Sequence, residues 1–514
     1  MYLWIVVVSA AFALFASAGI GSNDAANSFS TSVASKSLTI KQAIIISAIF
    51  ETAGAILMGS HVSDTIRKGI ADYKCFEDEP YMLMYGCMWV IFSVGAWLFI
   101  ASYYEMPVST THSCVGGMIG MTIALGGPKC VIWYKAVDTF PYIGGVGGII
   151  LSWFISPVFS GIISCLIFNI LRLSVLRSDF TSKRMNIMYP ILIASTITIN
   201  AFFIIYKGAK GLGLNKIGFG TASAISFGLG GLSFIITFPL IPKLKERVSR
   251  NILEREIWVR ENIDDVKKEP MNVRRFLSKE WRPECNNDDN GKNDNENNLV
   301  LELQPINNKE ELDAVKRIHT NAEQFNIKTE ESFKYLQVFT AMCDSFSHGA
   351  NDVANSIGPF VAIWTIYNSN GHIEKKSSMD SDAYWILGFG GLGIAFGIMV
   401  YGKKIIYVIG EKLCKITPSR GVTVELSSAL VIIAGSRLGI PLSTTHCQVG
   451  ATIGVGLLEN KKDSLFSGIN CRVFLKIIFG WIITCIVVGL SAGILTAQGA
   501  YSPSKYEIIG NMTH

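Results

Sequence analysis

The fold is decided by a seven-residue stretch that occurs twice, as Gly21-Ser22-Asn23-Asp24-Ala25-Ala26-Asn27 and as Gly349-Ala350-Asn351-Asp352-Val353-Ala354-Asn355. A second phrase follows each copy in the same order, Pro107-Val108-Ser109-Thr110-Thr111-His112 and then Pro441-Leu442-Ser443-Thr444-Thr445-His446. The first phrases are offset by 328 residues and the second by 334, so two long segments run nearly in register. Because each copy places a carboxylate and two carboxamides within apolar sequence, the pattern predicts a duplicated fold unit with a functional site.

The composition predicts the class of protein. Of the 514 residues, 50% are hydrophobic and 17% are charged, and the mean hydropathy is +0.37. Soluble proteins average about 25% charged residues, so these values predict an all-α polytopic membrane protein in the lipid bilayer. The formal net charge of +5 is too small to indicate a nucleic-acid partner. The eleven cysteines contain no pair at metal-binding spacing, and we expect no cofactor. Cys75 and Cys87 could form a disulfide if their loop is extracellular.

Apolar runs of helical length predict about twelve membrane segments. They are residues 2–20, 40–59, 85–102, 109–126, 142–171, 187–206, 219–240, 332–347, 383–409, 421–436, 440–458 and 473–497. A cleaved signal peptide is the alternative for the first run, since Ala16-Ser17-Ala18 resembles a cleavage site. No basic stretch precedes that run, however, and the second copy has a segment in the same place before its motif.

The segments predict three regions. Residues 1–242 form a first membrane repeat with additional spans, residues 243–331 form a cytosolic and largely disordered linker, and residues 332–514 form a second membrane repeat. The linker prediction rests on charged and Asn-rich composition without sustained apolar periodicity, although short helical pieces such as 253–262 are compatible with it.

Basic residues predict the orientation. They gather in residues 172–184, 243–250 and 403–415, which fall on one side when the segments are counted, whereas Lys207, Lys210 and Lys216 fall on the other. The positive-inside rule makes the first side cytoplasmic, so both termini are predicted to be extracytoplasmic. Seven crossings separate the two Asn-Asp phrases, which predicts two inverted-topology repeats. In many secondary transporters such repeats hold the substrate and the coupling ion near the midplane.

The Pro-x-Ser-Thr-Thr phrases predict the starts of two half-helices, of the kind found in re-entrant hairpins. Proline is tolerated in a first helical turn, and Ser or Thr caps it. Free backbone N–H groups and hydroxyls at a helix N-terminus bind anions such as phosphate. These side chains could instead only cap a buried helix, but the duplication favours binding.

The Gly-x-Asn-Asp-x-x-Asn phrases predict a cation site. Asp24 and Asn27 are three residues apart and share one face of a helix, and the flanking glycine would let the helix break and free carbonyl oxygens. Carboxylate, carboxamide and carbonyl oxygens suit a hard cation such as Na⁺, and the carboxylate alternatively suits a proton.

These paired phrases, together with the stretch at residues 62–70, resemble the inorganic phosphate transporter (PiT) family, most closely its eukaryotic sodium-dependent phosphate symporters. The resemblance covers both membrane regions and omits the linker. It implies an inverted-repeat fold, sodium-coupled import of phosphate at the plasma membrane and frequently a homodimer.

The resemblance also implies roles for individual positions. Phosphate would be held by Ser109, Thr110, Thr111, Ser443, Thr444 and Thr445 with Asn23 and Asn351, sodium by Asp24, Asn27, Asp352 and Asn355, and Glu51, Glu425 and His348 would be needed for transport. From the residues alone, Glu51 could equally form a structural ion pair and His348 a hydrogen-bonded core contact. We interpret His112 and His446 as capping or packing residues. Ser22 and Ala25 depart from the residues more frequent in the family, Ala and Val.

Four alternatives to sodium-coupled phosphate import remain. Proton-coupled phosphate transport or sulfate transport would use the same site, and an anion channel would also use facing helix ends. An intramembrane hydrolase with Ser109 or Ser443 as nucleophile would need one asymmetric site, which the duplication disfavours. We therefore expect a transporter and not an enzyme.

Overall fold

The structure is a computed structural model, and it describes residues 2–138, 142–178, 181–206, 213–261, 309–373, 384–459 and 467–502. The described chain is nearly all helical. Its helices are α1 (Leu3–Ile20), α2 (Ala26–Ala34), α3 (Ile40–Gly69), α4 (Pro80–Tyr103), α5 (Thr110–Gly126), α6 (Gly145–Leu171), α7 (Thr181–Ile205), α8 (Phe219–Thr237), α9 (Ile241–Glu261), α10 (Lys309–Asn321), α11 (Ile327–Asn368), α12 (Tyr384–Tyr401), α13 (Lys403–Tyr407), α14 (Pro418–Arg437), α15 (Thr444–Leu458) and α16 (Cys471–Tyr501). Short strands β1 (Lys135–Ala136) and β2 (Ile143–Gly144) pair antiparallel, with Lys135 opposite Gly144.

Eight helical stretches in the described part of the chain are long and apolar enough to cross a membrane. The bent pair Lys403–Leu413 and Pro418–Arg437 would make a ninth span. Each of the twelve predicted segments overlaps a helix. Helices α5 and α15, at 17 and 15 residues, rise only about 26 and 23 Å, less than the ~30 Å hydrocarbon core. The prediction of an all-α membrane protein is confirmed, while the inverted orientation of the repeats stays a prediction.

The helix that follows each half-helix in the chain packs against the half-helix of the other copy. Helix α16 packs against α5, and α6 packs against α15. A side chain at Gly120 would overlap the carbonyl oxygen of Gly489, and one at Gly450 would overlap that of Pro157. Glycine is therefore required where these backbones touch. Because α6 follows α5 in the chain and α16 follows α15, the two contacts are equivalent, as expected for units related by an approximate twofold axis.

The loop between α3 and α4 differs from the prediction. Cys75 forms its disulfide with Cys130, in the turn after α5, and not with Cys87, which is a free, buried cysteine of α4. Helix α3 also continues ten residues beyond the predicted end of its segment. Its added turns are stabilised by the ion pair of Arg67 with Asp64 at 2.9 Å and by a hydrogen bond from Arg67 to Thr365.

Within residues 243–331 the structure describes most of α9, all of α10 and the start of α11. Asn251 of α9 donates to Glu331 of α11 at 3.2 Å. Glu323, between α10 and α11, pairs with Arg177 at 2.7 Å, and its backbone oxygen accepts from Arg420. Residues 262–308 lie outside the described residues, and the disorder predicted for the linker stays a prediction.

Candidate functional site where the repeated phrases meet

The two half-helices begin side by side. Helices α5 and α15 start directly after Ser109 and Ser443, whose hydroxyls accept from the backbone N–H groups of His112 and His446, each at 3.3 Å. This confirms the helix starts predicted from the sequence. The Ser443 hydroxyl donates to the Ser109 hydroxyl at 2.9 Å. The N-termini of the two helices therefore meet at equivalent residues.

Contacts across this junction also come in equivalent pairs. The Asn27 carboxamide lies 3.4 Å from the Thr445 hydroxyl, and the Asn355 carboxamide lies 3.3 Å from the Thr111 hydroxyl. Asn27 and Asn355 occupy the same place in the two copies, as do Thr445 and Thr111. Reciprocal contacts of this kind are the signature of a twofold relation, so both copies build one site.

Threonine hydroxyls converge on the two aspartates. Asp24 accepts from Thr110 of its own half at 2.8 Å and from Thr445 of the other half at 2.6 Å. Asp352 accepts from Thr444. Both aspartates are buried, with exposed fractions of 1% and 0%. The hydroxyls predicted to hold an anion are thus in direct contact with the carboxylates predicted to hold a cation.

The first asparagine of each motif contacts the backbone that precedes a half-helix. Asn23 donates to the Met106 carbonyl at 3.0 Å and accepts from the Val108 N–H at 2.9 Å. Asn351 donates to the Leu442 carbonyl at 2.9 Å, which also accepts from the Thr111 hydroxyl at 2.7 Å. These contacts position the chain that leads into each Ser-Thr-Thr phrase.

Three carboxamide oxygens of the site lack a hydrogen-bond donor. The Oδ1 atoms of Asn27, Asn351 and Asn355 are buried, and no described residue donates to any of them. Buried polar atoms are normally satisfied, and amide oxygens are ligands that suit Na⁺ and other hard cations. The donor set beside the two aspartates therefore fits a cation.

Glu51 and His348 are in contact, although 297 residues separate them. His348 Nδ1 lies 2.8 Å from Glu51 Oε2, and His348 Nε2 lies 2.9 Å from Asp352 Oδ2. All three side chains are fully buried. The ion pair considered for Glu51 and the buried contact considered for His348 are therefore one interaction, which leads directly to Asp352.

Glu425 joins α14 to the first copy of the motif. It accepts from Thr31 at 2.6 Å and Ser32 at 2.5 Å on α2, and from Thr340 at 2.6 Å and Gln337 at 3.1 Å on α11. Four donors stabilise a carboxylate that is wholly buried. No sequence pattern predicts these partners, because they come from two separate helices of the tertiary fold.

The model of the phosphate transporter family matches residues 20–492, which contain both copies of both phrases. The chain belongs to the phosphate transporter family. Membership confirms the resemblance seen in the sequence and places the chain among transporters and not among enzymes.

Relatives within the phosphate transporter family cover nearly the whole chain. Sodium-dependent phosphate transporter 1 of Mus musculus is 26% identical over 671 residues, covering 97% of this chain and 96% of the relative. A protein named as a phosphate permease of Pyrococcus horikoshii is 34% identical, covering 93% of each chain. A solved structure described as the sodium-dependent phosphate transporter is 28% identical, with a TM-score of 0.72, and covers 97% of this chain and 100% of that one.

The histidines of the Ser-Thr-Thr-His phrases, interpreted from the sequence as capping or packing residues, each pack against a tryptophan ring. The His112 ring stacks on Trp153, and the His446 ring packs on Trp481, each with 3.6 Å between ring centroids. The two histidine rings are 4.7 Å apart, and His446 Nδ1 contacts the Trp153 carbonyl oxygen at 2.8 Å. Sequence analysis did not identify either tryptophan, although both are also offset by 328 residues.

The backbone of the Asn-Asp motif differs between the copies. In the first copy residues Gly21–Ala25 form a π-helical turn between α1 and α2, a feature often found at functional sites. In the second copy α11 runs without interruption from Ile327 to Asn368. The helix break expected at the motif glycine is therefore wrong for both copies, since residues Leu3–Ala34 also form one continuous helical stretch.

Proposed function

We propose that the chain is a secondary active symporter that imports inorganic phosphate together with sodium ions by alternating access. One observation carries this proposal: hydroxyls of the Ser-Thr-Thr phrases donate to the aspartates of the Asn-Asp phrases. The anion donors and the cation ligands are therefore partners of one another, and the occupancy of one group must affect the other.

Electrostatics explains why this arrangement couples the two solutes. A buried carboxylate needs donors or a cation, because an unpaired charge is costly away from water. When Na⁺ binds Asp24, it takes over the role of the hydroxyls of Thr110 and Thr445, which then become available to phosphate. A bound anion in turn stabilises the cation beside it in the low dielectric. Each ligand must then strengthen the binding of the other by the same factor.

The proposed site follows from these roles. Asp24, Asn27, Asp352 and Asn355 bind sodium, and the hydroxyls and helix N-termini at Ser109, Thr110, Thr111, Ser443, Thr444 and Thr445 bind phosphate. Asn23 and Asn351 lie beside the phosphate and hold the Ser-Thr-Thr phrases in place. Glu51, His348 and Glu425 support the carboxylates and helices around the site.

Uptake into proteoliposomes tests the proposal. The purified chain should accumulate labelled phosphate when an inward sodium gradient is imposed, and a matched gradient of a large organic cation should give no accumulation. Labelled sulfate should enter poorly. Counterflow of labelled phosphate against unlabelled phosphate should occur, which a channel does not support. If a proton gradient without sodium drives the same accumulation of phosphate, transport is coupled to protons and not to sodium.

The membrane placement is part of the proposal. The repeats have inverted topology, the chain lies in the plasma membrane as a homodimer, both termini are extracytoplasmic and the segment between the repeats is cytosolic. An epitope tag at the C-terminus, which lies outside the described residues, should be stained on intact cells. Staining that requires permeabilisation would contradict this orientation.

A further inference from the structure

His348 lies at the centre of a buried cluster of potential metal ligands. Its ring, Asp24 and Asp352 each offer one ligand atom, and the three atoms lie within 4.8 Å of one another. They belong to both copies of the motif, and all three residues are buried. The cluster is the one group of three or more His, Cys, Asp or Glu ligands that the described residues bring together in this way.

The hydrogen bond to Glu51 determines which ring nitrogen of His348 is available. An ionised carboxylate can only accept, so Nδ1, 2.8 Å from Glu51 Oε2, carries the hydrogen in the neutral ring. Ser345 also donates to Glu51 at 3.2 Å and fixes its orientation. The lone pair of the neutral ring is then on Nε2, which is buried and makes no hydrogen bond of normal geometry within the described part of the chain. It lies 2.9 Å from an oxygen of Asp352.

This arrangement is chemically different from a sodium site. Sodium prefers oxygen ligands, whereas one imidazole nitrogen and two carboxylates suit a first-row divalent ion such as Zn²⁺. Metal-ligating histidines generally donate their other ring N–H to a carboxylate, which is the role that Glu51 fills here. A divalent ion bound by both groups would replace the present 2.9 Å contact between His348 Nε2 and the Asp352 oxygen.

We propose that Asp24, His348 and Asp352 form a binding site for Zn²⁺-like divalent ions, and that the bound metal inhibits transport by occupying both aspartates. The proposal rests on the proposed function in one respect: the metal enters by the route that sodium would use. It also predicts one such site per chain, because the first copy has no matching ligand. Ile20 stands where the second copy has His348.

The packing of the motif glycines identifies the residue that takes the place of Glu51 beside the first motif. A side chain at Gly349 would overlap the carbonyl oxygen of Glu51, and a side chain at Gly21 would overlap that of Ile394. The polar pair of Glu51 and His348 is thus matched by Ile394 and Ile20, both fully buried. The nitrogen ligand and its supporting carboxylate therefore meet at the second motif, and both are absent at the first.

Binding of Co²⁺, which replaces Zn²⁺ and absorbs visible light when bound, tests the site without any transport. The purified full-length chain should bind one Co²⁺ with a d–d absorption band that Zn²⁺ abolishes. His348→Asn should lose the band. Glu51→Gln should weaken Co²⁺ binding by roughly 10–100-fold, as expected for a residue that supports a metal-bound histidine. His372→Asn alters an exposed histidine and should leave the titration unchanged.

The outcomes separate this proposal from the proposed function. Zn²⁺ should inhibit phosphate uptake by the unaltered chain, and higher sodium should raise the Zn²⁺ concentration needed for half-inhibition. If uptake is sodium-driven but Co²⁺ gives no band, or gives the same band in folded His348→Asn, the metal site is wrong and the symporter proposal stands. If Co²⁺ binds through His348 while sodium drives no uptake, the metal site stands and the symporter proposal fails. Should His348→Asn not fold, the Co²⁺ affinity of Glu51→Gln decides, and an unchanged affinity overturns the site.

Discussion

The two copies of the motif share the groups at the centre of the site and differ in the groups that support them. Both copies supply an aspartate that accepts from threonine hydroxyls, and both supply an asparagine that contacts a threonine of the other half. Only the second copy has a histidine at the position before its glycine, bound to Glu51. Only the first copy has hydroxyls that bind a buried glutamate, Glu425.

The packing of the motif glycines and the sequence offsets together show that both differences replace polar by apolar residues. Glu51 and His348 correspond to Ile394 and Ile20. At the positions that correspond to Thr31 and Ser32, 328 residues further along, the second copy has Pro359 and Phe360, and Ile91 stands 334 residues before Glu425. Duplication therefore accounts for the symmetric binding groups, while Glu51 and Glu425 are buried carboxylates that each occur in only one of the two copies. We infer that the shared groups contact the transported solutes and that the unshared groups position the shared ones.

The largest expected effect concerns the shared aspartates. Asp24→Asn and Asp352→Asn keep the shape of the side chain but remove the charge that a cation needs. Contacts to a charged group contribute about 1.5–3 kcal/mol each, and each aspartate makes at least two contacts that its charge strengthens, so sodium-activated uptake should fall by more than about 100-fold. The measurement is a sodium titration of phosphate uptake for each variant.

The matched control is Asp313→Asn, which changes an exposed aspartate of α10 and should transport normally. If Asp24→Asn is inactive and Asp352→Asn retains normal sodium activation, the two copies do not contribute equivalent cation ligands. The inference that their shared groups act alike would then be wrong.

The next effect separates two equivalent threonines. Thr111→Ala and Thr445→Ala should each raise the phosphate KM about tenfold, since a lost hydrogen bond costs about 1–3 kcal/mol. Of these two threonines, Thr445 donates to Asp24, whereas Thr111 donates to the Leu442 carbonyl. Thr445→Ala should therefore also shift half-maximal sodium activation. Serine at either position should restore the phosphate KM.

A smaller effect tests Glu425, the unshared carboxylate that accepts from hydroxyls of the first copy. Glu425→Gln replaces one of the two acceptor oxygens with an NH₂ donor. It should destabilise the fold by about 1–3 kcal/mol because four donors converge there. At the corresponding position Ile91→Val removes one methylene group and should cost about 0.5–1.5 kcal/mol. Thermal unfolding in detergent compares the two variants. Equal losses of stability in the two variants would show that the hydrogen bonds to Glu425 contribute no more than apolar packing does at Ile91.

The smallest effect concerns the ion pair of Arg177, from the first half, with Glu323, which precedes the second. The hydrogen bond from Arg177 holds the pKa of Glu323 below its ordinary value. A lowered carboxyl pKa stabilises the fold at neutral pH, and that contribution is lost as the pH falls through the folded-state pKa. Because the pair is partly exposed, it should contribute less than about 1 kcal/mol. Arg177→Gln should lower the melting temperature at pH 7 slightly and by less at pH 4, and a larger loss at pH 4 would contradict this sign.

Local patterns predicted much of this molecule, and contacts distant in sequence account for the rest. The caps Ser109 and Ser443 follow from a short phrase, because capping depends on residues a few positions away. The junction of the two copies follows from the duplication. The partnership of Glu51 with His348 could not be predicted, since it joins α3 to α11 through tertiary packing. For the same reason, the nearness of Cys75 to Cys87 in the sequence did not predict the disulfide with Cys130.

Equilibrium binding of labelled phosphate to the purified chain tests most directly whether the two copies build one site. We predict one phosphate per chain, bound more tightly as sodium rises, with an affinity reduced about tenfold by either Thr111→Ala or Thr445→Ala. Two phosphates per chain would contradict a shared site. So would a single phosphate whose affinity one of the two substitutions leaves unchanged.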